Sequence, residues 1–363
     1  MAEASLQFVA DGVITPLTTI QFASAERKGS FNGGVYLSNR SVCALGLQRK
    51  GGYENIPDPA EGWNEQPLAE TGNAIFCGML QNEHFGHFIS ESLSRIWAAT
   101  HLGRNYGSLA FYLRHINLPI APFVEDTLRL IVPHHQMTIV RVPTRFEAIA
   151  VPEQLTYGDS GFVYGHPFLR STLAPLRALR SNDKTLLKVY VSRSRLDARD
   201  GGIIHEKRLD DYFRAEGYSI VYPETLTVRQ QFELYNDAQH IIFSEGSALH
   251  MYALVARPTQ NVYVIWRRER HPQFSWQIQS FGGRAPMGDA HIRMLWIPAQ
   301  DHGNPVHARA LLDFGRLHAE LLRLGFIAGD RAWDQPSEAS VDEELAEFGR
   351  ISGYHYIPQA VSH

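Results

Sequence analysis

The chain has 363 residues, 44% of them hydrophobic and 20% charged, with a formal net charge of -4, a balance that supports folding throughout and excludes a long disordered tract. That charge supplies no overall basic field for gripping nucleic acid, although Arg267, Arg268 and Arg270 cluster in WRRERH. Its two cysteines, Cys43 and Cys77, are too few for a disulfide framework or a cysteine-built zinc site.

A chain of this length accommodates two ordinary domains, each able to bury a core. No stretch approaches the roughly 20 apolar residues that span a bilayer, and MAEASLQFVADG lacks the basic start and apolar run of a secretory signal. The expectation is therefore a soluble, cytoplasmic chain. A peripheral membrane association stays open, because that needs a patch and not a span.

In chain order, residues 1–70 read as strands and loops, including GGVYLSN and the Gly/Pro/Asn-rich GGYENIPDPAEGWNEQP, a β-rich opening. From Ala74 a strand, AIFCGML, leads into QNEHFGHFISESLSRIW, residues 81–97. On a helix turning about 100° per residue, His84, His87 and Glu91 share one face and Arg95 continues the row. Phe85, Phe88, Ile89, Leu93, Ile96 and Trp97 form the opposite, core-facing side. Asn82 is placed to cap such a helix, and Gly86 allows another backbone to approach. The polar stripe suits a solvated surface, a metal site or a catalytic acid/base pair, and this segment alone does not choose among them. Further strands are expected at LAFYLR, TIVRV and FEAIAV, and a domain boundary in ALRSNDK, residues 178–184.

The second half is more regular. LLKVYVSRSR is a β-branched run ending in polar residues, as a buried parallel strand would be. HEKRLDDYFRAEGY follows with Leu209, Tyr212 and Phe213 at helical spacing and Gly217 as a stop. SIVYP is a strand, and TVRQQFELYNDA opens on Thr227 and Gln230 in capping-box positions. HIIFSEGSALHMYALVARPTQNVYVIW then gives strand, turn, helix and strand. Residues 186–266 therefore alternate β-α-β-α-β-α-β, the pattern of an open, mostly parallel sheet. Beyond it, Pro305 to Leu324 reads as one long helix and SEASVDEELAEFGR as another.

Two places in this half suit an anion. In FSEGSALHM a strand ends at Phe243 and a helix begins near Ser247, so free N–H groups and the positive end of a helix dipole converge near Gly246. A structural strand-to-helix turn capped by Ser247 fits the same residues, and His250 faces either that crevice or the core. Arg193 and Arg195 in YVSRSR end the first strand of the same sheet, at the same carboxyl edge, where arginine can hold a diphosphate. Neither G-x-x-x-x-G-K-[ST] nor a G-x-G-x-x-G after a strand occurs, and no H-E-x-x-H is present, so neither a Walker loop, a dinucleotide fingerprint nor a zincin motif is found.

HFGHFISESLSRIW, VYVSRSR and GYSIVYPETLTVRQQFELYNDAQHIIFSEGSALHM, in that order and spacing, resemble the glycosyltransferase family 61 domain of bacterial capsular-polysaccharide biosynthesis proteins, over roughly residues 74–270. The resemblance implies an α/β, GT-B-like fold, two Rossmann-like domains facing across a cleft, and an inverting transfer from a nucleotide sugar with no cofactor and no metal. Its first block carries a histidine followed four residues later by an acid, here His87 and Glu91. An inverting transfer needs one base to take the acceptor hydroxyl's proton; Glu91 is expected in that role, with His87 orienting it or contacting the donor and His84 a weaker candidate. The last block implies a donor-binding turn at Glu245, Gly246, Ser247 and Ala248, joined by Arg193, Ser194 and His250, with Arg195 and Glu206 as further candidates; family members often carry Asn-Glu where His205 and Glu206 stand. The expected domains are 1–180 on the acceptor side, 181–303 for the nucleotide sugar, and 304–363 as helices returning to the N-terminal domain. The implied partners are a nucleotide sugar, expected to be UDP-linked, and a saccharide or lipid-linked saccharide acceptor. The alternatives are a metal-dependent hydrolase or epimerase using His84, His87 and Glu91, and a non-catalytic nucleotide-sugar-binding module.

Overall fold

The computed structural model describes residues 3–22, 29–49, 53–55, 67–69, 72–115, 117–158, 161–181, 187–268 and 272–360. Arg270, most of the Gly/Pro/Asn-rich stretch and the end of ALRSNDK lie outside the described residues. The protein is a mixed α/β chain that divides into two compact units. The first comprises Met1–Leu179, His250–Val255 and Trp276–Gly283; the second comprises Arg180–Leu249, Ala256–Ser275 and Arg284–His363. Residues 304–363, expected to return to the N-terminal domain, fall in the second unit.

In the first unit, strands β1 (Leu6–Phe22), β2 (Gly29–Tyr36), β3 (Tyr53–Asn55), β4 (Leu68–Ala69), β5 (Asn73–Leu80), β6 (Ser108–Leu113), β7 (Gln136–Val140) and β8 (Thr144–Pro152) form one sheet in the order β3-β2-β1-β8-β5-β6-β7, with β4 paired to β8. β1 runs antiparallel to β2 and β8, which is the β-rich opening, whereas β5, β6, β7 and β8 run parallel. The near-continuous burial of Ala74 to Leu80 follows from helices and loops covering both faces of a parallel sheet. The chain leaves β5 for β6 and β7 and then returns to the other side of β5 with β8. The carboxyl ends of β5 and β8 therefore flank the point where the winding reverses, which is where open sheets leave a crevice.

In the second unit, β9 (Lys188–Val191), β11 (Ser219–Val221), β12 (His240–Ser244) and β13 (Asn261–Ile265) form an all-parallel sheet in the order β11-β9-β12-β13. The intervening helices are Glu206–Ala215, Val228–Asp237 and Ala248–Val255, so the alternation expected over 186–266 is present. Its local signals hold: Thr227 and Gln230 make a reciprocal capping box, and Gly217, at φ +79, ends the first helix where a side chain would be strained. The winding reverses between β9 and β12. A second sheet, in the order β10-β15-β14-β16, adds β10 (Gly202–Ile203), β14 (Ile292–Pro298), β15 (Arg309–Leu312) and β16 (Tyr356–Gln359).

The single helix expected from Pro305 to Leu324 is instead a short turn, the strand β15 and a helix over Phe314–Arg323. Asp313 starts that helix by accepting a bond from the Arg316 N–H at 2.9 Å, and Arg309–Leu312 is drawn into the sheet by β10 and β14 on its two sides. Tyr190, Phe213, Tyr263, Leu312, Phe314 and Trp333 belong to one buried core that joins both sheets of this unit. Among the described residues, no helix is long and apolar enough to cross a membrane.

Candidate functional site

Two polar clusters stand at sheet reversals, one in each unit. In the first unit the chain leaves the carboxyl end of β5 at Leu80 and enters the His/Glu segment directly. The helix expected to be continuous is an α-turn over Phe85–His87, a π-helix over Phe88–Ser92, a set of turns and a further helix over Trp97–Leu102. His84, not Asn82, caps it; Asn82 instead donates to the carbonyls of His115, Leu118 and Pro119, fixing the loop after β6. The wider π-turn changes the rotation per residue, so Arg95 leaves the polar stripe. It is fully buried and donates to the carbonyls of Leu45, Leu47 and Pro152, a structural role. On the apolar side Phe88, Ile89, Leu93, Ile96 and Trp97 are buried, whereas Phe85 is only half-buried.

His87 and Glu91 do meet. Nδ1 of His87 lies 2.5 Å from Oε1 of Glu91, and Oε2 of the same carboxylate accepts from the Gln81 side chain at 2.8 Å. The carboxylate accepts, so His87 carries its proton on Nδ1 and Nε2 is the basic nitrogen of the neutral ring. Glu91 is buried, with its side chain 3% exposed, while that of His87 is 44% exposed. The His84 ring stands edge-on to that of His87, centroids 4.4 Å apart, and its pKa is lowered first by burial and then by His87.

His250 joins this unit. It is buried, and Nδ1 lies 2.6 Å from Oε1 of Gln277. Gln277 donates its amide N–H to the Val163 carbonyl, and the Val163 N–H donates to the carbonyl of Ser90, the residue before Glu91. With the amide nitrogen of Gln277 so engaged, its oxygen faces His250 and fixes the proton on Nδ1. Burial pushes the imidazole down to about 4 against the Gln277 bond, and of its neighbours His87 lowers it further while Glu91 opposes the shift. The sequence placed His250 with the donor turn; the fold places it electrostatically beside His84, His87 and Glu91. Gln81 and Gln277 were missed, since a lone glutamine carries no motif, whether in the loop after β5 or in the helix Pro272–Gly282.

The second cluster lies at the carboxyl ends of β9 and β12. Arg193 donates to the Gly201 carbonyl at 2.9 Å, and its own backbone N–H donates to Glu206 Oε1 at 2.8 Å, which also accepts from the Tyr190 hydroxyl at 3.0 Å. Glu206 is thus a buried anchor for Arg193, its carboxyl pushed up by burial against the pull of Arg193. Gly246 is not left-handed; its missing side chain makes room, because a Cβ there would come 2.4 Å from Nη1 of Arg193. Ser247 and Ala248 are half-buried and open the helix Ala248–Val255. Glu245, expected to contact the donor, is fully buried and held by arginine: Arg268 Nε donates to Oε1 at 2.9 Å and Arg267 donates to its carbonyl at 3.2 Å. Burial would raise its pKa, but Arg267, Arg268 and Arg193 together hold the carboxyl below the usual range. Arg267 and Arg268, noted only for nucleic acid, therefore turn inward, and their position directly after β13 was the signal that could have found them. Ser194 bonds to Asp210, and the Arg195 guanidinium lies 3.8 Å from the centroid of Tyr222.

Arg193, Arg267 and Arg268 thus gather three guanidinium groups around the buried Glu245 at a strand-to-helix turn, an excess of positive charge of the kind that suits a phosphate. Among the described residues, no group of three His, Cys, Asp or Glu side chains is arranged to hold a metal ion. No curated protein matches the chain. Residues 85–263 match the family model for Glycosyltransferase 61, a span that begins with Phe85 of the His/Glu segment and takes in Arg193, Gly246 and His250. That match supports placing this part of the chain in glycosyltransferase family 61, and with it a glycosyltransferase activity that acts on a sugar donor and an acceptor.

Proposed function

We propose that the chain is a metal-independent, inverting glycosyltransferase of the GT-B type that moves a sugar from a nucleotide donor, UDP-linked, to a saccharide or lipid-linked saccharide acceptor in bacterial surface or capsular polysaccharide synthesis, working in the cytoplasm at the inner membrane face. The observation that carries the reading is the pairing of His87 with Glu91. Both oxygens of Glu91 accept hydrogen bonds from His87 and Gln81, and the carboxylate is buried, whereas the imidazole is partly exposed. The base is therefore assigned to His87 Nε2 and the positioning role to Glu91, the reverse of the order expected from the sequence. In the reaction the acceptor oxygen bonds to the anomeric carbon as its proton passes to His87 Nε2. The bond from that carbon to the phosphate oxygen breaks, and its electron pair leaves with the diphosphate. Arg193 and the N–H groups opening the helix at Ala248 take up that charge. His250, held neutral, contributes no positive charge that would compete for the acceptor's proton.

A shift in melting temperature with UDP, GDP and CMP, each with and without EDTA, tests the reading, since a ligand that binds only the folded state stabilises it. Stabilisation by a nucleotide that survives EDTA is expected. Stabilisation abolished by EDTA, or by none of the nucleotides, would contradict it.

A further inference from the structure

Beside Arg193 the second unit carries a smaller polar group, built on the loop after β9 and the residue after β11. The Ser194 hydroxyl donates to Asp210 Oδ2 at 2.6 Å, and the Tyr222 hydroxyl donates to the same oxygen at 3.0 Å. Asp210 is 4% exposed, and its other oxygen, Oδ1, is buried with no hydrogen-bond partner among the described residues. The two hydroxyls alone do not explain a carboxylate: an asparagine carbonyl would accept both bonds without bringing a charge indoors. A second carboxylate oxygen held ready, and shielded from bulk water, is an acceptor awaiting a donor from elsewhere. Above it, Arg195 is exposed to solvent and its guanidinium is stacked 3.8 Å from the Tyr222 ring centroid. A guanidinium backed in this way offers a flat cationic platform, the kind of surface on which a nucleobase stacks.

We propose that Arg195, Tyr222 and Asp210 form the nucleoside subsite of the donor, the base stacking on Arg195 and a ribose hydroxyl donating to Asp210. This rests on the reading of Arg193 as the diphosphate ligand. A nucleoside is bonded to one end of its diphosphate, and Ser194 and Arg195 are the next residues along the loop from Arg193. The phosphates occupy the reversal between β9 and β12, so the nucleoside lies over β9 and β11 and the sugar is left toward β12.

The test is calorimetric titration of the full chain with inorganic pyrophosphate and with UDP, GDP and CDP, comparing wild type with Asp210→Asn and Arg195→Ala. For the tightest-binding nucleotide, each substitution is expected to weaken affinity at least tenfold while pyrophosphate affinity stays within twofold. Arg195 is exposed, so its variant keeps the test informative should Asp210→Asn unfold. If both variants bind the nucleotide as wild type does, or lose nucleotide and pyrophosphate alike, the nucleoside subsite is overturned while the diphosphate reading stands. If wild type binds neither nucleotide nor pyrophosphate, the diphosphate reading fails and this proposal with it.

Discussion

His87 Nδ1 and Glu91 Oε1 lie 2.5 Å apart, yet one side chain is 44% exposed and the other 3%. The pair therefore has a direction: a buried carboxylate, itself held by Gln81, steadies an imidazole whose second nitrogen is the basic one. A carboxylate in that place fixes the tautomer and stabilises the imidazolium that forms when a proton is taken up.

His250 sets a pH dependence. Its folded pKa of about 4 lies below the ordinary histidine value of about 6.5. The unfolded chain therefore binds the proton first as pH falls, and stability drops between those two values and levels off below the lower one. The gap corresponds to about 3 kcal/mol. His250→Asn should remove that component, so its melting temperature should fall less than the wild type's between pH 6.5 and pH 4, as scanning calorimetry would register.

Gly246→Ala should act through space and not through backbone strain, since Gly246 is not left-handed and the added Cβ would lie 2.4 Å from Arg193 Nη1. Overpacking of this kind costs about 1–3 kcal/mol. Arg193 must shift, and nucleotide affinity measured by titration should fall roughly tenfold, about 1.4 kcal/mol; an unchanged affinity would show that Arg193 does not hold the ligand.

Glu245→Gln should destabilise the second unit strongly, because it leaves Arg267 and Arg268 without their buried carboxylate. Breaking a buried pair in this way costs about 3–5 kcal/mol. The wild-type carboxyl is depressed, so its contribution is complete above the ordinary glutamate value of about 4.3 and is lost as pH falls through the lower folded value. Denaturant midpoints should therefore separate wild type from Glu245→Gln widely at pH 7 and converge in acid.

The legible part of the fold was the part whose patterns are local. Between 186 and 266 each strand is a short apolar run and each helix has its own start or stop, such as Thr227 with Gln230 and Gly217, so order and direction followed from alternation. The segment 82–97 was read as one α-helix because His84, His87 and Glu91 fit its period. The π-turn over Phe88–Ser92 is dictated by packing against the sheet, which local spacing does not encode, and it is what carried Arg95 into the core. Arg309–Leu312 was taken as helical because its strand identity comes from β10 and β14, remote partners. In the site, His87, Glu91, Arg193 and Gly246 stood at recognisable places; Gln81, Gln277 and Asp210 did not, because each matters only through a partner brought close by folding.

The central claim is that His87 is the base of a sugar transfer and Glu91 its support. The most direct measurement is the rate of sugar transfer from nucleotide-sugar donors to saccharide acceptors by wild type and His87→Asn, with nucleotide affinity measured alongside. The account predicts transfer by wild type, a rate reduced by about 10²–10⁴-fold in the variant, and an unchanged affinity. A variant that transfers at the wild-type rate would contradict it.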